Sequence, residues 1–281
     1  MEYVTLNNGI KMPALGYGVY QVDNAETERC VREAIASGYR LIDTAQAYGN
    51  EEGVGSAIAS CGVPREELFV TTKVWISNAG YEKARISIDE SLRRLRTEYI
   101  DLLLIHQPFG DYYGTYRAME EAYKEGYVRA IGVSNFYPDR LVDLCSFAEV
   151  TPAVDQVETH LFQQQAKAHE VMKKYGVQHE SWGPFAEGRK GFFMTPALVE
   201  IGKRHGKSAA QTALRFLIQS GIVVIPKSTH RERMAQNIDV FDFTLADEEM
   251  AALRALDEGT SLFFSHYDPE TVEMIIGLAK R

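Results

Sequence analysis

Residues 41–55 read LIDTAQAYGNEEGVG, and the order of residue types in this stretch decides the fold. Two apolar residues, Leu41 and Ile42, run into an aspartate. A short polar loop follows, and Asn50, Glu51 and Glu52 then open a helix with the acidic first turn that helix N-termini favour. The unit is strand, polar loop, helix. It recurs along the chain. LFVTTK ends at Lys73, IDLLLIH at His106, VRAIGVSN at Ser134 and Asn135, and AVDQVE carries Gln156 and Glu158. VQHESW ends at Trp182 and IVVIPKS at Lys227 and Ser228. With ALGYGVY near the start there are eight candidate strands. Helical patterns such as AETERCVREAIAS, EKARISIDESLRRLR, TYRAMEEAYKEG and DRLVDLCSFA lie between them.

Strands alternating with helices predict a parallel sheet, and eight units in this length predict a (β/α)8 TIM barrel. A doubly wound sheet is the runner-up. It usually opens with a glycine-rich turn after its first strand, and YGVYQVDNAET carries no GxGxxG. Asn7-Asn8-Gly9 between two short alternating runs predicts an N-terminal β-hairpin that closes one end of the barrel. TPALVEIGKRHGKSAAQTALRFLIQ holds two helical runs, so one C-terminal helix is extra, and another follows at ADEEMAALRALD. The segment SLFFSHYDPETVEM reads as a tail reaching the barrel mouth. The expectation is one barrel domain over residues 1–281.

Composition narrows the function classes. A 45% hydrophobic chain of 281 residues builds a large core. The net charge of -9 argues against general nucleic-acid binding, which needs a basic face. No apolar run approaches the roughly 20 residues that span a bilayer. Cys30, Cys61 and Cys145 are odd in number and form no CxxC, which favours a reducing compartment. No basic region followed by an apolar run opens the chain. The expectation is a cytoplasmic protein that acts on a small molecule as a monomer, without nucleic-acid or membrane partners.

Chemistry in such a barrel sits where the C-terminal strand ends meet. Asp43, Tyr48, Lys73 and His106 all fall at that face. Taken singly, each has a plain alternative: a turn cap, a packing ring, a solvated lysine and a core histidine. Together they make a site. A buried lysine needs an anion, and Asp43 supplies one. An ammonium beside a phenol favours the phenolate and is expected to draw the Tyr48 pKa from about 10 toward neutrality. Tyr48 is then a general acid for a carbonyl oxygen, and His106 a second hydrogen-bond donor to it.

At these residues the chain resembles the aldo-keto reductase superfamily, and in particular its short-loop bacterial members acting on diketogluconate or methylglyoxal. The resemblance rests on GYGVYQV, GYRLIDTAQAYGNEEGVG, LFVTTKVW, YIDLLLIHQP, AIGVSNF, VDQVE and IPKSTHRERMAQNIDVFDF, seven stretches in order over nearly the whole length. It implies a (β/α)8 barrel that reduces aldehydes and ketones with NADPH, with Asp43, Tyr48, Lys73 and His106 as the catalytic set. It implies that Ser134, Asn135 and Gln156 hold the nicotinamide carboxamide and that Trp182 stacks on the ring. Lys227, Ser228 and Arg233 would bind the adenosine 2'-phosphate, and Gln236 and Asn237 the adenine. Tyr20, Trp75 and Phe109 would wall the substrate pocket, with tail residues Phe264 and Tyr267.

Three departures concern the substrate wall. Gln107 stands where the family often has Trp, and Asp155 and Thr159 stand where Asn and Tyr are common. The segment after strand seven reads SWGPFAEG rather than the usual Tyr-Ser-Pro-Leu-Gly form. The short QPFGDYYGT segment predicts an open pocket suited to small or polar carbonyls. The glycine-rich loop at 183–193, with Arg189 and Lys190, either folds over the pyrophosphate or is a flexible surface loop. Two other functions compete. One is a metal-dependent hydrolase on the same barrel, with Asp43, His106, Glu158 and His160 as ligands. The other is an NADPH-binding regulatory module without turnover. No metal is expected, because Lys73 would repel a cation.

Overall fold

A computed structural model describes residues 1–279. An antiparallel hairpin, β1 (Tyr3–Thr5) and β2 (Lys11–Pro13), precedes eight parallel strands. These are β3 (Gly16–Gly18), β4 (Leu41–Asp43), β5 (Phe69–Val74) and β6 (Leu102–Ile105). Then come β7 (Ile131–Ser134), β8 (Val154–Glu158), β9 (Gln178–Trp182) and β10 (Val223–Val224). The strands neighbour one another in chain order, and the sheet closes on itself. Leu15 pairs in parallel with Val224, and the Gly18 amide donates to the Pro226 carbonyl. Closure removes both sheet edges and separates this (β/α)8 barrel from an open doubly wound sheet.

The period of two along a strand sorts residues between two layers. Leu41, Phe69, Leu102, Leu104, Val154, Val223 and Ile225 fill the barrel interior together with Leu6 and Met12 of the hairpin. Their neighbours Ile42, Val70, Leu103, Val133, Val157 and Val224 face the helices and join the larger core. The hairpin is the floor of the barrel. Asn7 Nδ2 donates to the Pro152 carbonyl at 2.9 Å and Asn8 Nδ2 to the Arg129 carbonyl at 3.0 Å, both just ahead of strand starts.

Two helices, Pro196–His205 and Ala209–Gln219, lie between β9 and β10. Gly206, left-handed at φ 67°, ends the first. Ser208 and Gln211 form a reciprocal capping box that opens the second. Arg231–Ile238 and Asp247–Arg254 follow β10. The segment read as a tail then ends in a further helix, Pro269–Ala279.

Asn50 differs from its expected role. It stands at the start of helix Glu51–Ser60 but does not cap it through its side chain. Instead its amide donates to the Val19 and Val22 carbonyls and accepts from Thr44 Oγ1, all buried. Glu51 is buried as well, accepting from Thr72 at 2.6 Å and pairing with Arg94. These residues anchor the polar loop 44–50 to the barrel rather than serving the helix dipole.

Gly132 faces inward where β7 lies against β8. A Cβ there would stand 2.4 Å from the Val154 carbonyl oxygen and 2.9 Å from Leu104 Cδ2. A paired backbone carbonyl cannot retreat without breaking the barrel ladder. Gly132→Ala is therefore expected to lose about 1–3 kcal/mol of stability, read as a lower urea midpoint. An unchanged midpoint would show that the interior yields more easily than this geometry allows.

Candidate active site

Asp43 ends β4, and Lys73 lies on β5 two residues beyond its register partner Thr71. Period-two alternation turns both inward at the C-terminal mouth. Lys73 is fully buried and Asp43 nearly so. The ammonium donates to Asp43 Oδ1 at 2.6 Å, to the Thr44 carbonyl at 3.0 Å and to the Tyr48 hydroxyl at 3.4 Å. Burial alone opposes the charge on Lys73, but Asp43 and Tyr48 outweigh it and hold the lysine above its ordinary range.

Tyr48 reaches this point from a single tight turn, Gln46–Tyr48, ended by left-handed Gly49. Gln46 pins the turn to the neighbouring unit. Its carbonyl accepts from the Trp75 amide and Asn78, and its amide donates to Ser91 Oγ and the Ser87 carbonyl. The Tyr48 ring is half-buried, with Tyr20 5.0 Å from it and His106 5.5 Å away edge-on. His106 follows β6 and also meets Trp75 at 5.0 Å. Burial, then the Lys73 charge, holds the imidazole well below its ordinary range, so it is neutral.

The expected direction for Tyr48 is corrected by this geometry. Lys73 does pull the phenol down, but burial is the larger effect, and the hydroxyl is pushed up to about 12. Tyr48 therefore stays protonated throughout the physiological range. Its phenol is a protonated group whose conjugate base Lys73 would stabilise, rather than a group near its titration point.

A second layer of polar residues completes the site. Gln156 on β8 donates through Nε2 to Asp43 Oδ2 at 2.9 Å and to Glu180 Oε2 at 3.0 Å. Ser134 Oγ donates to the Gln156 carbonyl. Asn135, left-handed at φ 62°, donates to the His106 carbonyl and to Ser134 Oγ. Its own side-chain oxygen accepts from Trp182 Nε1 at 2.9 Å. Lys227 and Arg233 are exposed beyond β10 and on the next helix. Ser228 is buried between them in sequence and bonds His230, while Gln236 and Asn237 end the same helix.

The mouth is less open than the short loop after His106 implies. The tail lies across it, held by Glu158. That carboxylate accepts from Ser261 Oγ, from the Leu262 amide at 2.9 Å and from His160 Nε2. Phe264 stacks on Trp182 at 5.8 Å with Phe263 edge-on to it. His266 bonds Gln107 Oε1 at 2.6 Å and stacks on Phe109, which is only 6% exposed and offers little ring face to a substrate. Burial lowers the His266 pKa to about 4, so this latch is neutral. Tyr267 lies outside, exposed, against Tyr137. The 183–193 loop turns to the tail too. Arg189 lies over the Phe263 ring at 4.1 Å and Lys190 bonds Glu258. Glu158 and His160 thus serve the tail while Asp43 serves Lys73, so the ligand set imagined for a hydrolase divides between two tasks.

Glu180 and His266 were not singled out by the sequence. Glu180 had a signal: it stands two residues before Trp182 and so shares its inward face. His266 had none, because only the tertiary path of the tail brings it to Gln107.

A closed (β/α)8 barrel with polar and charged side chains meeting at its C-terminal mouth is the architecture of a barrel enzyme, here of an oxidoreductase class. The chain belongs to the aldo/keto reductase family, whose model matches residues 9–258. It is 47% identical over 258 residues to a 9,11-endoperoxide prostaglandin H2 reductase of Trypanosoma cruzi, covering 91% of each chain. It is 46% identical over 259 residues to a glyoxal reductase of Bacillus subtilis, covering 92% of this chain and 93% of that one. The structure of a Bombyx mori aldo-keto reductase in complex with NADP superposes with a TM-score of 0.90 at 34% identity, covering 97% and 96%.

Lys73→Met leaves Asp43 buried without its cation. The expected loss is about 3–5 kcal/mol, measured by denaturant unfolding. Adding Asp43→Asn to Lys73→Met is expected to recover part of that loss. A double variant as unstable as the sum of the single ones would show that the two side chains are not coupled.

Proposed function

We propose that this protein is an NADPH-dependent reductase of small or polar aldehydes and ketones, with Tyr48 as the general acid. The observation that carries the reading is the buried chain Asp43–Lys73–Tyr48. A phenol kept protonated by burial and touched by an ammonium is suited to deliver a proton to an oxygen that becomes strongly basic only as the reaction proceeds. Lys73 then stabilises the phenolate left behind, and Asp43 keeps Lys73 charged. His106, neutral and edge-on to Tyr48, offers an N–H to the same oxygen and fixes its orientation.

The residues around this chain fit a nicotinamide dinucleotide. Gln156 Nε2 is committed to two carboxylates, and its side-chain oxygen Oε1 is left to accept from a carboxamide. Ser134 and Asn135 stand beside it, and Trp182, half-buried with Phe264 stacked on one side, is the aromatic we assign to the nicotinamide ring. What such a cofactor supplies is the hydride that reaches the carbonyl carbon. Lys227, Ser228 and Arg233 combine a point charge, a hydroxyl and a planar fork, which is the donor set a 2'-phosphate needs. Gln236 and Asn237, in the last turn of the helix that carries Arg233, are the residues we assign to the adenine. The Bombyx mori relative solved with NADP supports the same cofactor class.

The substrate class is read from the mouth. Tyr20 and Trp75 stand over Tyr48 and His106, and a neutral Gln107–His266 pair replaces bulky aromatic surface on one side. A wall with amide and imidazole groups suits dicarbonyls and keto sugars. The glyoxal reductase relative supports this, while the prostaglandin H2 reductase relative shows the framework serving a different molecule.

The direct test is NADPH oxidation with methylglyoxal, glyoxal and diketo sugar acids. Tyr48→Phe is expected to lower kcat by about 10²–10⁴-fold with NADPH affinity near normal by fluorescence titration. Full activity in that variant would remove Tyr48 from the reaction. Arg233→Ala is expected to weaken NADPH about tenfold or more and NADH hardly at all, since only one of the two carries the phosphate. Equal loss for both cofactors would place the 2'-phosphate elsewhere.

A further inference from the structure

Below the mouth, Glu180 is fully buried inside the barrel on β9. It is not a surface acid turned inward by chance. Gln156 has one amide nitrogen with two hydrogens, and it gives one to Asp43 Oδ2 and the other to Glu180 Oε2. The second Glu180 oxygen, Oε1, has no partner among the described residues. Two carboxylates therefore share one amide and sit beside one lysine. The charged groups facing Glu180 are Asp43 from β4 and Lys73 from β5. From β8 it meets neutral Gln156, and its register partner on β10 is the apolar Val223.

We propose that Glu180 is a positioning residue of the proton-delivery site, and that gain or loss of its own proton sets how readily Tyr48 gives up its proton. This rests on the reductase reading above.

The electrostatic argument is one of charge balance. With Glu180 neutral, Asp43 and Lys73 cancel, and the lysine retains attraction for a phenolate at Tyr48. With Glu180 ionised, the interior holds two carboxylates against one ammonium. The extra negative charge opposes the phenolate, and Tyr48 becomes a weaker acid. The proton on Glu180 therefore favours carbonyl reduction. Burial first, and the Asp43 carboxylate second, push Glu180 up to about 8. Tyr48 and Lys73 are both raised, and His106 is well lowered, so none of these three crosses neutral pH. Glu180, raised by burial and by its carboxylate neighbour, is the group whose proton we assign to this range.

The sign for stability follows by linkage. The folded state holds a proton on Glu180 over the range between the ordinary glutamate value and the raised one. Unfolding releases it, so the stability contributed by the protonated form is lost as pH rises through the folded value.

The test is the pH dependence of kcat/KM for NADPH-driven glyoxal reduction, with thermal unfolding of the cofactor-free protein across the same range. The wild type is expected to show a basic limb near neutrality, with a fall of about three- to tenfold. Its midpoint should hardly move with temperature, because carboxylic acids ionise with little heat, unlike imidazoles, amines and phenols. E180Q keeps an acceptor for Gln156 but has no proton to lose. It is expected to flatten the limb and to flatten the decline of Tm with pH. A wild-type limb that shifts strongly on warming, or an E180Q profile that keeps the wild-type limb, would overturn the role given to Glu180. The warming measurement decides the matter even where E180Q fails to fold. A wild type that reduces no carbonyl at any pH would instead overturn the reductase reading itself.

Discussion

Everything at the mouth of this barrel depends on one buried ion pair. An ammonium with no access to water is tolerated only where anionic and carbonyl oxygens replace its hydration. Asp43 at 2.6 Å and the Thr44 carbonyl at 3.0 Å do this for Lys73. The arrangement leaves one direction of the ammonium facing Tyr48. The phenol accordingly meets a fixed positive charge in a place where solvent does little to screen it. Burial keeps the proton on the oxygen, and the lysine lowers the cost of its departure. These are separate effects with opposite signs.

The barrel makes this arrangement possible at small cost in chain. Alternate residues of β4, β5, β8 and β9 point inward at nearly one height, which brings Asp43, Lys73, Gln156 and Glu180 into one layer from distant parts of the sequence. Gln156 then ties the layer together. The same alternation sends Ile42, Val70 and Val157 outward to the helices. The strands thus stabilise the protein with one face and hold the polar groups of the candidate site with the other. The hairpin floor keeps the interior below this layer apolar, which is why charge introduced into the layer is felt so strongly.

Above the layer, the chain closes over its own site. Glu158 holds the 261–262 segment, Phe263 and Phe264 cover Trp182, and His266 bonds Gln107. Gln107 is a departure from the family pattern that the tail answers directly: a polar residue at that wall has an imidazole to meet it. Arg189 and Lys190 tie the 183–193 loop to the same strap, so the loop and the tail form one surface over the mouth.

The sequence by itself determined the barrel and the four residues at its mouth. A strand running into a polar residue and then a helix, repeated eight times, leaves few topologies, and strand-end residues of a closed parallel barrel must converge. The hairpin at Asn7–Gly9 and the paired helices before β10 were legible for the same reason: their signals are local, in turn residues and helical periods. What only the tertiary structure decided are the quantities that depend on groups far apart in the chain. The sign of the Tyr48 shift needed the depth of its hydroxyl, because burial and the Lys73 charge compete and the pattern of residues gives no measure of the first. Asn50 looked like a cap until Val19 and Val22 were found to claim its side chain. The path of the tail over Gln107 and Trp182, and the second carboxylate beneath Gln156, arise from contacts between residues separated by tens to more than a hundred positions. No period or motif encodes those distances; packing alone does.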